Sequence, residues 1–592
     1  MASCLPCLPS AKKRNAYRTV HPPPEGGIKS LPGPVSELTS QFPDMDVAVA
    51  PSGKDDVQAW ERYNFARFYT PAKKKYNGYE ELERRGKSSE ALRAQFQTVE
   101  FDKVLPTYTW NQDIIGYPSA ICTCYRVEHV VAVVNFARAH CKPVGIELAV
   151  TSGRHSRAAM ADNCIVLDLS GMKDCEMLRD DVLRVGGGAQ LHEVDLACNR
   201  AGTCVPLGGC PTTGMGLVLM GGYGHMSRKF GLSIDSLLEV TLVTSGGEVL
   251  VCNRSQNAEL LWANKGGAGN FGVVVEMKLQ TYKMSFYKDV GGGSGTRVLF
   301  QQRVVAPVEK LGFVGRKDIL VNMHMHRMKA DDGFFATSSD CKVGVSHAIV
   351  VAGGPVITWQ VWTGDSVEEG KRYFKEIDKQ LPAVVLAGSV NMVDYHSDLQ
   401  FRYFPFSKSA SAYLTEVWFE EMNERILEVI ADCFTGATIR QQPFYGDMNW
   451  KSGQEPVCHT QYLGGRANID GDDAFCLRRF KYWFLLIAVI DHTLPLQRYQ
   501  AQKAATQQFF SWVKQRLAPF RSDGRASDDP YTGHQQNRIV QADGDSSSAV
   551  NYYTRDGSAL FSLPGKMQRL QRIKAQYDPG NLFCVNFNVR PG

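Results

Sequence analysis

Glycine is concentrated in residues 208–235, and this stretch limits the possible folds more than any other part of the chain. It contains seven glycines before Gly231. Because each glycine costs conformational entropy, such a density is expected where the backbone lies close against a flat or charged group. Cys210 stands near the head of the stretch, and Pro211 biases it toward an extended conformation. The thiol could therefore contact a planar ligand; the alternative is a glycine-rich turn with a buried free cysteine.

Further motifs flank this stretch on both sides. Residues 151–156 read Thr-Ser-Gly-Arg-His-Ser, residues 262–272 read Trp-Ala-Asn-Lys-Gly-Gly-Ala-Gly-Asn-Phe-Gly, and Asn551-Tyr552 stands near the end. Together with Gly209-Cys210-Pro211-Thr212, these motifs resemble the flavin-linked oxidases of the berberine bridge enzyme type. Those oxidases belong to the vanillyl-alcohol oxidase superfamily, which has a PCMH-type FAD-binding domain. The resemblance implies an enzyme, an FAD-linked oxidoreductase.

The same resemblance implies an α+β fold, in which a two-part PCMH-type FAD-binding domain encloses an inserted antiparallel-sheet substrate domain. It is dense from about Tyr117 to Tyr282 and returns from about Ala549 to Asn586. Alternation in segments such as Val356–Trp362 independently indicates antiparallel strands in the insert. The predicted parts are a disordered leader or linker (1–55), the FAD-binding domain (56–284), the substrate-binding α+β domain (285–539) and a C-terminal berberine-bridge-type segment that completes the FAD domain (540–592).

Composition excludes several other classes of protein. A chain of 592 residues is longer than one hydrophobic core usually serves. Its 44% apolar and 21% charged residues are typical of a globular protein. The 66 basic and 61 acidic residues are nearly balanced, so no nucleic-acid partner is expected. No uncharged apolar run of about 18 residues occurs, so no transmembrane segment is predicted.

The N-terminal residues predict a cytoplasmic protein. Met1 to Pro9 is too short for the apolar region of a secretory signal, and the basic residues 12–14 follow it rather than precede it. Cys4 and Cys7 could be acylated and attach the chain to a membrane surface. The alternative is a disordered leader with no such role. The 16 cysteines have no repeated spacing, which argues against a disulfide scaffold.

Two local patterns are rejected as sites. His324 and His326 lack a third ligand, so no metal site is predicted. Residues 267–272 formally spell GxGxxG, but a helix precedes them and a strand follows. This is the reverse of a nicotinamide-binding fingerprint, and the resemblance implies that the loop contacts FAD instead.

Residues 152–156 form a predicted turn after a strand, and such a turn with free backbone amides suits a diphosphate. The resemblance implies that it holds the FAD pyrophosphate and that His155 bonds the 8α-methyl group of the flavin; the alternative is a turn histidine satisfied by backbone. Arg154 replaces the usual glycine and lacks its freedom at positive φ. Its guanidinium could instead grip a phosphate.

The resemblance also implies roles for three residues near the flavin ring. Cys210 is expected to bond carbon 6, and Tyr552 to act as the catalytic base near N5. Thr213, three residues after the cysteine, has the shape of the valine that leaves the oxygen-access face open in oxidases. Phe484 stands about where some members have a glutamate base, and Ala549 replaces a tyrosine of the terminal motif.

The predicted function is hydride transfer from an alcohol, sugar or secondary metabolite to covalently bound FAD, followed by reoxidation with O2 and release of H2O2. The alternatives are a dehydrogenase with another acceptor and a catalytically silent flavin-binding protein. The predicted partners are a small-molecule substrate and O2. The resemblance implies cofactor contacts for Ser152, Gly153, Arg154, His155, Ser156, Gly209, Cys210, Thr212, Thr213, Gly214, Gly216, Gly221, Gly222, Tyr223, Gly224, Gly231, Asp235, Gly269, Asn270, Gly272, Val273 and Asn551.

Overall fold

The structure is a computed structural model that describes part of the chain. It describes residues 27–33, 35–50, 63, 69–70, 107–108, 116–267, 269–284, 296–306, 315–326, 342–379, 384–400, 411–448, 455–490, 494–520, 565–585 and 587–592. No helix in these residues is long and apolar enough to cross a membrane.

A small sheet begins the described fold. Its order is β1-β4-β6-β5, with β4 and β5 parallel to β6 and with β1 antiparallel to β4. The four strands are β1 (Asp46–Val49), β4 (Ala120–Thr123), β5 (Glu147–Thr151) and β6 (Cys164–Asp168). The other short elements of this region are α1 (Val35–Gln41), β2 (Tyr69–Thr70), β3 (Thr107–Tyr108) and α2 (Val127–Phe136). The apolar spacing that predicts a helix from Val127 matches α2, which buries Val130, Val133 and Val134.

A second, antiparallel sheet of five strands follows, in the order β11-β10-β12-β8-β7. Its strands are β7 (Cys175–Arg179), β8 (Val182–Gly186), β10 (Leu237–Val243), β11 (Val249–Cys252) and β12 (Val273–Gln280). Between β8 and β10 lie α3 (Leu191–Ala201), β9 (Thr203–Cys204) and α4 (Ser227–Phe230). Strand β9 pairs with β13 (Tyr282–Lys283), and α5 (Ala258–Asn264) follows β11. Short helical turns occupy Met215–Met220 and Ser233–Ser236. Residues 208–235 therefore form loops and single turns packed against this sheet.

The third sheet has seven antiparallel strands in the order β17-β14-β16-β15-β19-β20-β18. They are β14 (Arg297–Ala306), β15 (Val343–Val351), β16 (Val356–Trp362), β17 (Val384–Asp394), β18 (Ser411–Phe419), β19 (Val457–Tyr462) and β20 (Tyr482–Ile490). The accompanying helices are α6 (Arg316–Val321), α7 (Val367–Lys379), α8 (Glu424–Cys433), α9 (Gly436–Arg440), α10 (Tyr445–Met448) and α11 (Leu496–Leu517). The predicted α+β class with an inserted antiparallel sheet is thereby confirmed, while the exact domain limits stay predictions.

The two faces of this seven-stranded sheet contact different parts of the molecule. Phe484 is fully buried in a core shared with α8 and α11. Its neighbours Trp483 and Leu485 point the other way and belong to the same core as Leu217 and Leu219 of the glycine-rich stretch. Because side chains alternate along a strand, this second face covers the part of the molecule where the sequence predicts the cofactor.

The last helix, α12 (Lys566–Tyr577), returns the chain to the second sheet. Lys574 is completely buried and donates to Asp578, 2.7 Å away, and to the backbone oxygen of Asn270, also 2.7 Å away. The Asn270 side chain in turn accepts from the backbone nitrogen of Val589 at 3.0 Å. These buried bonds fasten the C-terminal segment to the loop before β12.

Candidate active site

A cavity lies where three loops meet: residues 151–156 (the Ser152 turn), residues 208–216 (the Cys210 loop) and residues 266–272 before β12. The C-terminal segment closes it with Phe583 and Val585. Eleven residues with predicted cofactor contacts line this cavity: Ser152, Gly153, Arg154, His155, Ser156, Thr213, Gly214, Gly216, Gly269, Gly272 and Val273.

Glycines serve two purposes around this cavity. A Cβ atom at Gly153 would collide with the backbone nitrogen of Gly214, and one at Gly214 would collide with the hydroxyl of Ser152. The Ser152 turn and the Cys210 loop can therefore touch only because both positions are glycine. By contrast, a Cβ atom at Gly216 or Gly269 would meet no atom within 4 Å. These two glycines leave open space on the cavity wall.

Arg154 adopts the left-handed conformation that the sequence made doubtful, with φ of 55°. Its guanidinium Nη2 lies 2.5 Å from Asp168 Oδ2, and both side chains are almost fully buried. The other oxygen of Asp168 accepts from the backbone nitrogen of Ser170 at 3.0 Å. The ion pair therefore joins the Ser152 turn to the end of β6. The sequence left this partner of Arg154 unidentified; its only signal was an acidic residue closing a buried strand.

His155 and Cys210 both contact the hydroxyl of Thr212. The imidazole Nε2 lies 2.8 Å from Thr212 Oγ1, and the Cys210 sulfur lies 3.8 Å from the same oxygen. On its other side, Nδ1 lies 3.5 Å from Thr213 Oγ1, which is a long contact. Burial raises the pKa of the Cys210 thiol, although hydrogen bonds from both threonines partly oppose this effect. The two residues predicted to bond the flavin are thus brought together at one point.

The N-terminus of α3 holds the Cys210 loop in place. The backbone nitrogen of Leu191 donates to Thr213 O at 2.9 Å, and that of His192 donates to Pro211 O at 3.0 Å. The His192 ring adds a third bond, from Nδ1 to Pro211 O at 2.9 Å. The first amides of a helix have no partner within the helix, so here they fix the loop that carries Cys210.

Other predicted cofactor residues lie away from the cavity wall. Asp235 accepts from Arg478 Nη1 at 3.2 Å and from the backbone nitrogen of Leu232 at 2.7 Å. The Tyr223 hydroxyl donates to the backbone oxygen of Tyr462 at 3.4 Å. These side chains join loops and sheets to one another. Gly209, Cys210, Thr212, Gly221, Gly222, Gly224, Gly231 and Asn270 are likewise absent from the lining, and Asn551 and Tyr552 lie outside the described residues.

Thr151 is a cavity residue that the sequence analysis did not assign. Its side chain is buried, and its hydroxyl has no hydrogen-bond partner among the described residues. Gly187, at the β8 turn, also lines the cavity. The signal for Thr151 was its place directly before Ser152, at the end of β5. A buried hydroxyl without a partner is costly, so the cavity offers a donor to a polar ligand.

Two family models match the chain, one over the region that contains the Ser152 turn and the Cys210 loop and the other over the region that contains the last helix. The model described as "FAD binding domain" matches residues 118–253, and the one described as "Berberine and berberine like" matches residues 557–590. Over these residues the chain is similar to the FAD-linked oxidoreductases of the berberine bridge enzyme type. The predicted resemblance to this family is thereby confirmed, and the relatives named below confirm the predicted enzyme class.

Individual relatives agree with this assignment. An FAD-linked oxidoreductase of Dictyostelium discoideum is 26% identical over 81% of this chain and 91% of its own length. The (R)-6-hydroxynicotine oxidase of Paenarthrobacter nicotinovorans is 34% identical, but over only 30% of this chain and 38% of its own length. The glucooligosaccharide oxidase of Acremonium strictum has a similar fold, with a TM-score of 0.61, 17% identity and coverage of 82% of this chain and 94% of its own. That oxidase is described with a 6-S-cysteinyl, 8α-N1-histidyl FAD.

The residues around the cavity fit an FAD. Gly216 and Gly269 leave space that a flat ring or a ribose can occupy. The Thr151 hydroxyl provides a polar group without a partner among the described residues. Apolar walls from Leu217, Leu219 and other residues suit the ring faces.

Proposed function

We propose that this protein oxidises a small organic molecule by hydride transfer to a covalently bound FAD and that dioxygen reoxidises the cofactor with release of H2O2. The observation that carries the proposal is the meeting of His155 and Cys210 at the Thr212 hydroxyl, beside the glycine-lined cavity. When bound, FAD supplies a two-electron acceptor at N5 and a route for those electrons to oxygen.

Attachment of the cofactor is assigned to His155 and Cys210. His155 would bond the 8α-methyl carbon in place of its ring N–H hydrogen and one methyl hydrogen. Cys210 would bond carbon 6 in place of its thiol hydrogen and the hydrogen on that carbon. Each bond would release two electrons and two hydrogens, which dioxygen would take up as H2O2. Carbon 6 and the 8α-methyl group lie along one edge of the flavin ring, so a histidine and a cysteine that share one hydroxyl suit a double attachment.

The remaining roles are those that the chain's own groups can perform. The Ser152 turn and the Thr151 hydroxyl bind the polar part of the cofactor, and the Arg154–Asp168 ion pair holds that turn. Tyr552 is assigned as the base that takes a proton from the substrate O–H or N–H. Positioning of the reacting atoms contributes on the order of 7–11 kcal/mol to lowering the barrier.

The substrate is proposed to enter between the cavity and the seven-stranded sheet. On the sheet face toward the cavity, the rings of Trp359 and Trp483 flank His459 at centroid distances of 6.2 and 5.9 Å. The Trp418 indole nitrogen donates to Glu416 on the same face, at 3.2 Å. Aromatic and polar groups together favour a substrate with a flat or ring-shaped body and a few hydroxyl or amine groups.

The proposal is tested first by the state of the flavin. Purified protein should stay yellow in the acid-precipitated pellet, and His155→Ala and Cys210→Ala should each keep flavin there, because the other bond remains. Only the double variant should release it. Flavin that appears entirely in the supernatant of the unchanged protein contradicts the covalent bonds but leaves FAD binding intact.

Turnover is tested by anaerobic bleaching of the flavin absorbance. The substrate panel contains oligosaccharides and hydroxylated cyclic amines, which correspond to the named substrates of the two oxidases above, together with phenolic and aliphatic alcohols. An oxidase bleaches with at least one class and regains its colour in air with one H2O2 per flavin. Bleaching without fast recovery in air supports a dehydrogenase, and no bleaching with any class supports a silent flavin-binding protein.

A further inference from the structure

The segment after β17 reaches from the seven-stranded sheet into the region of α3. His396 lies in a helical turn, Tyr395–Leu399, and is only 2% exposed. Its Nδ1 lies 2.8 Å from Asp195 Oδ1 on α3, and its Nε2 lies 2.8 Å from the backbone oxygen of Thr203 on β9. One imidazole thus joins the third sheet to two elements of the FAD-binding region.

The hydrogen bonds determine the charge of this pair. A backbone oxygen can only accept, so Nε2 carries a hydrogen, and the proton shared with Asp195 makes a buried imidazolium–carboxylate pair. Burial lowers the pKa of His396. The hydrogen bond to Asp195 and the negative charges of Asp195 and Asp394 outweigh burial, so the pKa of His396 is raised. The nearby thiols of Cys198 and Cys204 stay neutral, because burial raises the pKa of the first to about 12 and that of the second well above its usual value.

The same network reaches the Cys210 loop on both sides of Cys210. Asp195 belongs to α3, whose first amides hold the backbone oxygens of residues 211 and 213. Gln400, just after the His396 turn, points its Nε2 at Gly208 O, 3.3 Å away, and at Asp195 Oδ2, 3.5 Å away. The loop is therefore held after Cys210 through α3 and before Cys210 through Gln400.

We propose that His396 and Asp195 position the Cys210 loop for attachment to the flavin ring, so that docking of the seven-stranded sheet and formation of the cysteine bond are coupled. The inference rests on the proposed function, in which Cys210 bonds carbon 6 and two hydrogens pass to dioxygen as H2O2. His396 contacts Asp195 and Thr203 rather than the cavity, so it is a positioning residue.

The first test measures which bonds the flavin has. Holoprotein of the His396→Gln variant is digested, and the peptides that carry flavin are identified by mass spectrometry. We expect at least a fivefold loss of the cysteine bond, while the bond to His155 remains. The double variant Asp195→Asn/His396→Gln should recover part of the loss, because it leaves no unpaired buried carboxylate. Equal cysteine attachment in His396→Gln and the unchanged protein overturns the proposal.

His324→Gln is the matched control. His324 is also a buried histidine beside the seven-stranded sheet, but its Nε2 bonds Thr460, 2.6 Å away, within that part of the molecule. Its loss should leave the cysteine bond at the unchanged level. A loss of cysteine attachment as large as that in His396→Gln would mean that general destabilisation, rather than positioning, explains both results.

A second measurement does not depend on the flavin bond. Apoprotein, produced in cells starved of riboflavin so that no flavin is attached, is alkylated with iodoacetamide. The rate at Cys210 is followed by peptide mass, with half-buried Cys584 as internal reference. We expect Cys210 to react several-fold faster in His396→Gln than in the unchanged protein. If the unchanged holoprotein has no bond between Cys210 and the flavin, the attachment proposal fails. Equal alkylation rates of Cys210 in the unchanged protein and in His396→Gln would refute the positioning role itself.

The pH dependence of alkylation provides a further criterion. A raised pKa means that the charged pair is fully present below the ordinary histidine value of about 6.5 and is lost as pH rises through the higher folded value. The difference in Cys210 alkylation rate between the unchanged protein and His396→Gln should therefore shrink as pH rises above the folded pKa of His396. If the ratio of the two rates stays constant as pH rises through this pKa, the imidazolium has no role in positioning the loop.

Discussion

Replacing Arg154 with glycine separates two opposing effects at the Ser152 turn. Glycine relieves the left-handed conformation, which costs other residues about 1–2 kcal/mol. The same change leaves Asp168 buried without its cation, and breaking such a pair costs about 3–5 kcal/mol. The net loss is therefore about 1–4 kcal/mol of unfolding free energy. An unfolding entropy of about 2.1 cal/mol/K per residue makes each kcal/mol worth about 1 °C in a chain of 592 residues, so the thermal midpoint of the apoprotein should fall by about 1–4 °C.

The assay is differential scanning calorimetry of apoproteins at one scan rate. The variant Arg154→Gly/Asp168→Asn is the decisive comparison, because the introduced asparagine keeps an acceptor for the Ser170 amide but bears no charge. We expect the midpoint to decrease in the order unchanged protein, double variant, single variant. An Arg154→Gly midpoint at or above that of the unchanged protein would show that backbone strain outweighs the ion pair, and would refute our account of how this turn is held.

Three further predictions concern the flavin chemistry. Thr212→Val removes the hydroxyl shared by His155 and Cys210, so the fraction of doubly attached flavin should fall in peptide mass spectra, whereas an unchanged fraction means that the hydroxyl has no part in attachment. Tyr552→Phe should keep the flavin spectrum and slow flavin reduction about 10²–10⁴-fold in stopped flow; an unchanged rate places the base elsewhere, with Glu416→Gln the next variant. Thr213→Leu should slow reoxidation in aerated buffer and spare reduction by substrate, and equal reoxidation rates would rule Thr213 out as an oxygen gate.

The sequence predicted much of the fold because its signals there are local. The sequence pattern predicts helices over Leu496–Leu517 and Lys566–Tyr577, and the structure has both with these limits, since apolar spacing and flanking breakers act within a few residues. The order of motifs likewise identified the three loops that meet at the cavity. What these signals do not contain is the direction of a side chain within a loop. Asp235 and Asn270 stand in cofactor motifs, yet both point into bonds that tie loops together.

Charged pairs were the least predictable part of the site, because their partners come from distant positions. Arg154 and Asp168 are 14 residues apart, and Asp195 and His396 are 201 residues apart. Neither pair has a sequence spacing that signals contact, and an isolated buried charge is too costly to exist alone. For the first pair, the sequence evidence was that Arg154 occupies a glycine position of the motif and that Asp168 closes a buried strand. A substitution of this kind requires compensation elsewhere in the chain, and in this fold Asp168 at the end of β6 provides it.

Glycine shows why the motif alone could not define the cavity. Gly153 and Gly214 are needed because two loops touch, whereas Gly216 and Gly269 leave space for a ligand. A sequence records both uses by the same letter, since each requires only the absence of a side chain. The two uses differ in their consequences, because an added methyl group at the first pair displaces backbone and at the second pair only occupies the cavity. Contact geometry is thus what turns a glycine-rich pattern into a candidate cofactor site, and it assigns the cavity wall to Gly216 and Gly269.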